Sequence, residues 1–411
     1  MVEGLDTALW QLAHNARWFA GRSRGGTLTG VELCDWLVDP ATGVGVRSAI
    51  MDVAFRGGDS ERYHVPLVYR PTREAVAPEL VATHVDGQEF SIGELCDDPS
   101  GAGLLLSLLA EDAPNFQRWG DVPQGLEARR FTGEQSNTSL FFGDALMCKV
   151  FRRLEDGPNV DVELHVALAG TGAVAEIHGA WRTGETDLAI FTEALKDPLD
   201  GYDLATDHAR DDQPFDAQAR GLGATLAQVH KTLADRLPTG SSDGASLADA
   251  FSRRFDSAAE EAPEIVEYRG AVRRTWSALP SAFSTQRIHG DCHLGQVLLS
   301  REEWRYVDFE GEPLKSLAER REPDSPWRDV AGMLRSFDYA AAAGGASETW
   351  LAECRKAFLS GYGAPTAQEM SLLAAFEADK AVYEVIYERR NREHLVHVPI
   401  DSLNRLAGET R

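Results

Sequence analysis

Residues 287–299 read Arg-Ile-His-Gly-Asp-Cys-His-Leu-Gly-Gln-Val-Leu-Leu, and Tyr306-Val307-Asp308-Phe309-Glu310-Gly311-Glu312 follows after a short strand-like run. The stretch reduces to His289-x-Asp291, then Gln296 five residues beyond Asp291, then Asp308. Two readings compete. In the structural one, His289 and Asp291 form a buried hydrogen-bonded turn and Asp308 ends a strand. In the chemical one, two carboxylates and a carboxamide at fixed spacing serve a reaction, and agreement of three elements in order and spacing favours it.

Moving a phosphoryl group from a nucleotide needs a carboxylate to orient and deprotonate the acceptor hydroxyl, and oxygen ligands to hold Mg²⁺ against the phosphates. Protein kinases use His-Arg-Asp, an Asn five residues later, and Asp-Phe-Gly. Here Asp291 falls at the base, Gln296 at the Asn and Asp308-Phe309-Glu310 at Asp-Phe-Gly, with Gly290 giving the HGD form seen in small-molecule phosphotransferases. ATP and Mg²⁺ are therefore the expected cofactors.

A chain of 411 residues is too long for one core. It reads as four segments: a cap domain over 1–75, an intermediate stretch over 76–127, an N-lobe over 128–196 and a helical C-lobe over 197–411. Helical spacing at Leu9, Trp10, Leu12 and Ala13 precedes three alternating runs, VELCDWLV, GVRSAIMDVAF and ERYHVPLVYR, parted by turn clusters. The run Gly103–Ala110 predicts a helix against that sheet.

From Glu127, ARRFTG, SNTSLFFG and ALMCKVFRRL predict three strands, with Lys149 placed to reach nucleotide phosphates. The helix expected over 159–168 offers Glu163 as its carboxylate partner. There is no glycine-rich loop. Its place is held by Glu134-Gln135-Ser136-Asn137-Thr138-Ser139, where Ser136, Asn137 and Thr138 with backbone N–H groups can form an anion-binding concavity. Glu193, Ala194 and Leu195 would form a hinge facing adenine, and Asp203 either reaches the ribose or caps a helix. Further on, 239–246 (TGSSDGAS) reads as a flexible break, Arg328-Asp329 as an ion pair near the loop, and 367–390 as a long helix.

The net charge of −24 disfavours phosphate-backbone binding, so no nucleic-acid partner is expected. It suits a neutral or cationic acceptor. Five scattered cysteines without a Cys-x-x-Cys pair, no secretory signal and no bilayer-length apolar run suggest a cytoplasmic, membrane-free protein, with a monomer the expectation. Cys292 is expected to pack rather than react.

The chain resembles maltokinases and the related actinobacterial glucosamine kinases, within the aminoglycoside phosphotransferase-like set. The resemblance runs through Arg17-Trp18-Phe19-Ala20-Gly21-Arg22, Glu134–Ser139, Lys149-Val150-Phe151-Arg152-Arg153, the HGD–Gln296 loop, Asp308–Pro313, Arg321-x-Pro323-Asp324-Ser325-Pro326, Arg328-Asp329-Val330-Ala331-Gly332 and Asp379-Lys380-Ala381-Val382-Tyr383-Glu384. It implies an α+β, bilobal protein-kinase-like fold, with an antiparallel-sheet N-lobe and mostly helical C-lobe, preceded by a helix-plus-sheet cap. It implies Asp291 as base, Gln296 and Asp308 as Mg²⁺ ligands, Lys149 on the phosphates, and Glu310, Lys380, Tyr383, Tyr387 and Glu388 in the acceptor pocket. His289 and Glu384 are grouped with them.

Positions 380, 383, 384, 387 and 388 share one helical face, and its mixture of Lys, Tyr and Glu suits sugar hydroxyls. The plainer reading is a solvated helix with two half-buried tyrosines. Where maltokinases carry Arg-Pro-x-Trp-Leu-Pro-Ile-Pro, this chain has Asn391-Arg392-Glu393-His394-Leu395-Val396-His397-Val398-Pro399-Ile400. The missing Trp removes a stacking surface and favours a small acceptor, so phosphorylation of glucosamine at its 6-hydroxyl is expected ahead of maltose at its anomeric hydroxyl. An aminoglycoside-type phosphotransferase and an inactive pseudokinase scaffold are the remaining alternatives.

Overall fold

The alternation of apolar residues in 60–71 places every second side chain on the same side, and both sides of that strand are covered. The computed structural model describes residues 2–74, 78–133, 136–312 and 315–409. Glu134, Gln135 and Pro313 of the motifs above lie outside the described residues. Contacts divide the chain into two units: Met1–Glu163 with Ala175–Lys196, and Leu164–Val174 with Asp197–Arg411.

The first unit opens with helix α1 (Leu5–Asn15), which buries Leu5, Leu9 and Ala13 four residues apart. Strands β1 (Thr27–Val38), β2 (Gly45–Ala54), β3 (Ser60–Pro71), β4 (Val81–Val85) and β5 (Gln88–Glu94) form an antiparallel sheet in the order β1-β2-β3-β5-β4. The sheet thus takes two further strands from beyond residue 75. Tyr63, Val65, Leu67 and Tyr69 of β3 point into the core that α1 covers, each such burial contributing roughly 1.5–3 kcal/mol. His64, between them, turns to the other face.

Helix α2 (Pro99–Ala110) is capped by Asp98, which accepts from the Gly101 amide at 2.8 Å. Strands β6 (Phe116–Arg118), β7 (Ala128–Arg130), β8 (Thr138–Phe142) and β9 (Leu146–Val150) follow, then the two-residue β10 (Arg153–Leu154). Helix α3 (Val160–Leu168) leads to β11 (Ile177–Thr183) and β12 (Thr186–Glu193). Six of these make a second sheet, β6-β11-β12-β9-β8-β7, while β10 leaves it to pair with β3 of the first.

The second unit is mainly helical. It contains β13 (Leu199–Asp200), α4 (Gly201–Arg210), α5 (Asp216–Arg236), β14 (Gly240–Asp243), α6 (Gly244–Glu261), α7 (Arg269–Ser277) and β15 (Ala282–Thr285). The hairpin β16 (Val297–Ser300) and β17 (Glu303–Tyr306) comes next, then α8 (Leu317–Arg321), α9 (Pro326–Gly344), α10 (Glu348–Tyr362), α11 (Ala367–Asn391) and α12 (His397–Glu409). Helices α5 and α10 touch backbone to backbone, since a Cβ on Gly223 would collide with the Phe358 carbonyl. A capping box of Thr366 and Glu369 starts α11. Helix α9 begins at Ser325-Pro326, as the sequence implied, with the Ser325 hydroxyl accepting from the Trp327 amide.

Two local expectations are corrected. The segment 239–246 is not a flexible break: 240–243 pairs with β15, and Asp243 caps α6 by accepting from the Ser246 amide at 2.7 Å. Its Ser/Gly composition is that of a loop, and a strand 40 residues away supplies the missing order. The ion pair expected from Arg328-Asp329 is divided: Arg328 pairs with Asp324, and the buried Asp329 bonds the loop backbone.

Candidate active site

Hairpin β16–β17 carries both motif loops of the second unit, one running into β16 and one leaving β17. The incoming loop is fixed by a single carboxylate. Asp329 Oδ2 accepts from the His289 amide at 2.7 Å and Oδ1 from the Gly290 amide at 2.9 Å, while His230 Nε2 lies 3.0 Å from Oδ2. Burial alone would raise the Asp329 pKa; the His230 contact and the Gly290 amide outweigh it and hold the carboxyl below its ordinary value.

His289 is buried and occupied. Its Nε2 donates to the Val307 carbonyl at 2.9 Å, and Nδ1 accepts from the Asp291 amide at 3.4 Å, which assigns the neutral Nε2–H tautomer. That is the structural role weighed against an acceptor contact. Gly290 needs its glycine, with φ +85° and a Cβ position 3.3 Å from Gly311 Cα. The turn it permits leaves the Asp291 carboxylate half-exposed, with no hydrogen bond or ion pair among the described residues.

His293 closes the turn by accepting from the Gly295 amide at 3.1 Å. Burial pushes its pKa down, so it stays neutral in that role. Cys292 is buried and its thiol is pushed well up by that burial, as expected of a packing residue.

Gln296 Nε2 lies 3.3 Å from Asp308 Oδ2. In this orientation the Gln296 amide nitrogen donates to the Asp308 carboxylate, and Oε1 is the carboxamide atom left free of that contact. Asp308 holds φ +62°, a left-handed conformation that costs a non-glycine residue about 1 kcal/mol or more. Phe309 is fully buried, with its ring 4.6 Å from that of His289 and 5.5 Å from that of His165. Arg320 donates to the Glu310 carbonyl at 2.8 Å and so fixes the chain just beyond.

Helix α11 divides the face read as an acceptor surface. Lys380 lies against α9 beside the loop that carries Cys292, its Nζ 3.3 Å from where a Gly332 Cβ would sit. Tyr383 and Tyr387 are 38% and 43% exposed, with stacked rings 6.3 Å apart. Burial, then Glu312, Tyr387 and Asp291 raise the Tyr383 pKa, which sets that phenol in the electrostatic neighbourhood of Asp291.

Glu384 and Glu388 differ from the expectation. Glu384 is 8% exposed and takes both Nε and an Nη of Arg335, at 2.9 and 2.6 Å. Glu388 is 1% exposed and accepts from Tyr339 at 3.0 Å and Arg392 at 2.6 Å. Their place on the polar side of a helix is the inside of a buried ion network. Asp379, beside Lys380 in the motif, joins this buried side of α11. It is buried, paired with Arg254, and has one oxygen without a hydrogen-bond partner. Burial pushes its carboxyl up to about 6; Glu312 adds to this, and Arg254 and Arg328 oppose it.

In the first unit, Lys149 Nζ lies 2.9 Å from Asp161 Oδ2. The carboxylate there is Asp161, where Glu163 was the expected partner; both stand in the first turn of α3. Asn137 and Thr138 are buried around Arg152: Asn137 Oδ1 accepts from the Arg152 amide at 3.0 Å, and Thr138 Oγ1 from Arg152 Nε at 2.8 Å. Ser136 remains exposed. At the end of β12, the Ala194 amide donates to Ala145 at 2.9 Å, Glu193 Oε1 accepts from the Glu176 amide at 3.2 Å, and Leu195 is half-buried. The cap of α4 is Asp200, which accepts from the Tyr202 and Asp203 amides, while Asp203 is exposed in the first turn.

A lysine–carboxylate pair on an antiparallel sheet, and a carboxylate loop beside a strained Asp-Phe segment in a helical unit, define a kinase-type phosphotransferase. The expected α+β fold with a preceding helix-plus-sheet cap is the one found. The chain belongs to the phosphotransferase enzyme family, whose profile matches residues 127–373, and residues 13–93 match the maltokinase N-terminal cap domain.

Two curated relatives are glucosamine kinases. That of Streptacidiphilus jiangxiensis is 26% identical over 317 residues, covering 67% of this chain and 72% of the relative. That of Mycolicibacterium smegmatis (strain ATCC 700084 / mc(2)155) is 27% identical over 319 residues, covering 68% and 80%. A solved glucosamine kinase in complex with glucosamine, ADP and inorganic phosphate has the same fold, with TM-score 0.71, 20% identity, and coverage of 96% of this chain and 98% of that one. Crystal form B of a glucosamine kinase gives TM-score 0.73 at 21% identity, covering 97% and 99%. Among the described residues, no helix is long and apolar enough to cross a membrane.

Proposed function

We propose that this chain is an ATP- and Mg²⁺-dependent sugar kinase that phosphorylates D-glucosamine at its 6-hydroxyl. The observation that carries the chemistry is Asp291: a half-exposed, unengaged carboxylate on a loop whose backbone is fixed by a buried aspartate. Such a group orients an acceptor hydroxyl and takes its proton as transfer proceeds. Likeness to the glucosamine kinases over two thirds of the chain supports the acceptor. The acidic groups near Tyr383, namely Asp291 and Glu312, suit a cationic amino sugar.

Gln296 Oε1 and the Asp308 carboxylate are hard oxygen donors, the kind Mg²⁺ takes, and they would hold it. The ion supplies charge stabilisation for the phosphates when bound. Lys149 and Ser136 serve the nucleotide phosphates from the first unit, and the backbone of 193–195 serves the adenine. Lys380, Tyr383 and Tyr387, with Glu310, line the acceptor side.

A second reading, maltose phosphorylated at its anomeric hydroxyl, is favoured by one feature. The exposed Tyr383–Tyr387 stack offers a broad surface to a second sugar ring. Mg²⁺-dependent ADP release with glucosamine, maltose and kanamycin, beside Asp291→Asn, separates these. Release with glucosamine, abolished in the variant, supports the proposal. Release only with maltose or only with kanamycin replaces glucosamine as acceptor, and no release with any sugar removes the kinase reading.

A further inference from the structure

Arg152 is fully buried, three residues beyond Lys149, and binds side chains and backbone from four separate segments. One Nη pairs with Glu94 at the end of β5. The other donates to the His64 carbonyl of β3 at 3.3 Å, and Nε donates to Thr138 Oγ1 at 2.8 Å. The guanidinium also lies over the Trp18 ring, 5.0 Å from its centroid. Its backbone is engaged as well: the amide donates to Asn137 Oδ1 at 3.0 Å, and the carbonyl accepts from the His64 amide at 2.7 Å.

Two of these partners, Trp18 and His64, lie in the helix-and-sheet region matched as a cap, and Glu94 ends the last strand of that sheet, one residue beyond the match; Asn137 precedes β8 and Thr138 opens it. A buried ion pair is a poor source of net stability, because desolvation offsets most of the attraction. What a guanidinium supplies is geometry, since its planar fork fixes the relative placement of the groups it binds. Asn137 and Thr138 are the only residues of the Ser136–Thr138 turn whose side chains are buried, and both are held by Arg152.

We infer that Arg152 is a positioning residue through which the cap sets the Ser136–Thr138 turn and the end of the Lys149 strand, and so sets nucleotide affinity. This rests on the reading that the turn and Lys149 serve the nucleotide. Arg152 itself touches neither substrate. Its loss acts by letting the turn drift, and displacement of about 1 Å can cost up to 10²-fold in rate.

The test compares Arg152→Met/Glu94→Gln, which leaves no unpaired buried charge, with Thr138→Val, which removes only the Nε contact. ATP and ADP affinity by titration, KM for ATP, KM for sugar, kcat and Tm are measured for each. Expected are a loss of nucleotide affinity of about tenfold in the double variant, a smaller loss in Thr138→Val, and an unchanged KM for sugar. If both variants lower Tm but leave nucleotide affinity within about twofold of wild type, Arg152 is merely structural and the inference falls. Should the double variant not fold, Thr138→Val decides by the same criterion. A wild-type protein that binds no nucleotide defeats the kinase reading itself and takes the inference with it.

Discussion

The carboxylate of Asp329 holds the backbone of His289 across 40 residues of chain, at 2.7 Å. Replacing one oxygen by an amide in Asp329→Asn sets an NH₂ group against a backbone N–H or against His230. We expect kcat to fall by about 10²-fold, through displacement of Asp291. Stability should fall by about 2 kcal/mol, since a buried charge-assisted acceptor is lost. Steady-state kinetics beside urea unfolding measures both, and a variant with wild-type kcat would remove Asp329 from the positioning of the loop.

Gly290→Ala forces a side chain onto φ +85° beside Gly311. The left-handed conformation costs about 1–2 kcal/mol, and relaxation would move the neighbouring Asp291. Activity should fall at least about tenfold at temperatures well below the modestly lowered Tm, as read from kcat and calorimetry together.

Glu384→Gln tests the division of α11. Arg335 would keep the buried Asp338 carboxylate but exchange that of Glu384 for a neutral amide, a loss of about 2 kcal/mol. KM for the sugar should not change in the fraction that folds. A raised sugar KM at unchanged stability would return Glu384 to the acceptor pocket.

Asp379 and His64 give stability opposite pH dependences. The Asp379 carboxyl is raised to about 6 in the folded chain from an ordinary 3.8. Folding therefore takes up a proton between these values, and the stabilisation, complete below about pH 4, is lost as pH rises through about 6. Asp379→Asn should gain on wild type by about 2 kcal/mol between pH 4 and pH 7, measured by urea unfolding.

His64 is lowered to about 3 from 6.5, by burial first and then by Arg152. The unfolded chain binds its proton first, so stability is complete above about 6.5 and is lost as pH falls toward 3. His64→Gln should narrow the wild-type loss between pH 7 and pH 4 by about 2–3 kcal/mol. Equal losses in both proteins would show that His64 is not buried neutral.

What was legible in the chain followed from spacing. Period 2 located β1, β2 and β3, the apolar run Gly103–Ala110 located α2, the long helix expected over 367–390 is α11, and Ser325-Pro326 marked the start of α9. The motif interval placed Gln296 beside Asp308. Partnership was not legible, because it depends on residues distant in the chain. The period of α11 could not say that Arg335 and Arg392 claim Glu384 and Glu388. Asp161 and Glu163 share one helical turn, and only coordinates show Lys149 beside Asp161. Asn137 and Thr138 look like phosphate ligands by residue type, yet Arg152, whose own role no local pattern announces, holds both.

The two-residue strand Arg153–Leu154 fills the stretch of β3 at Arg62–Tyr63, below the reach of β5, which pairs only with Leu67–Pro71. The first hundred residues therefore cannot be trimmed away as a detachable module. Cutting there would strip the chain that leaves the lysine strand of its hydrogen-bonding neighbour and strand a guanidinium in an opened, half-dry hollow. Any attempt to graft this phosphotransferase core without its leading segment has to redesign residues 151–154 at the same time.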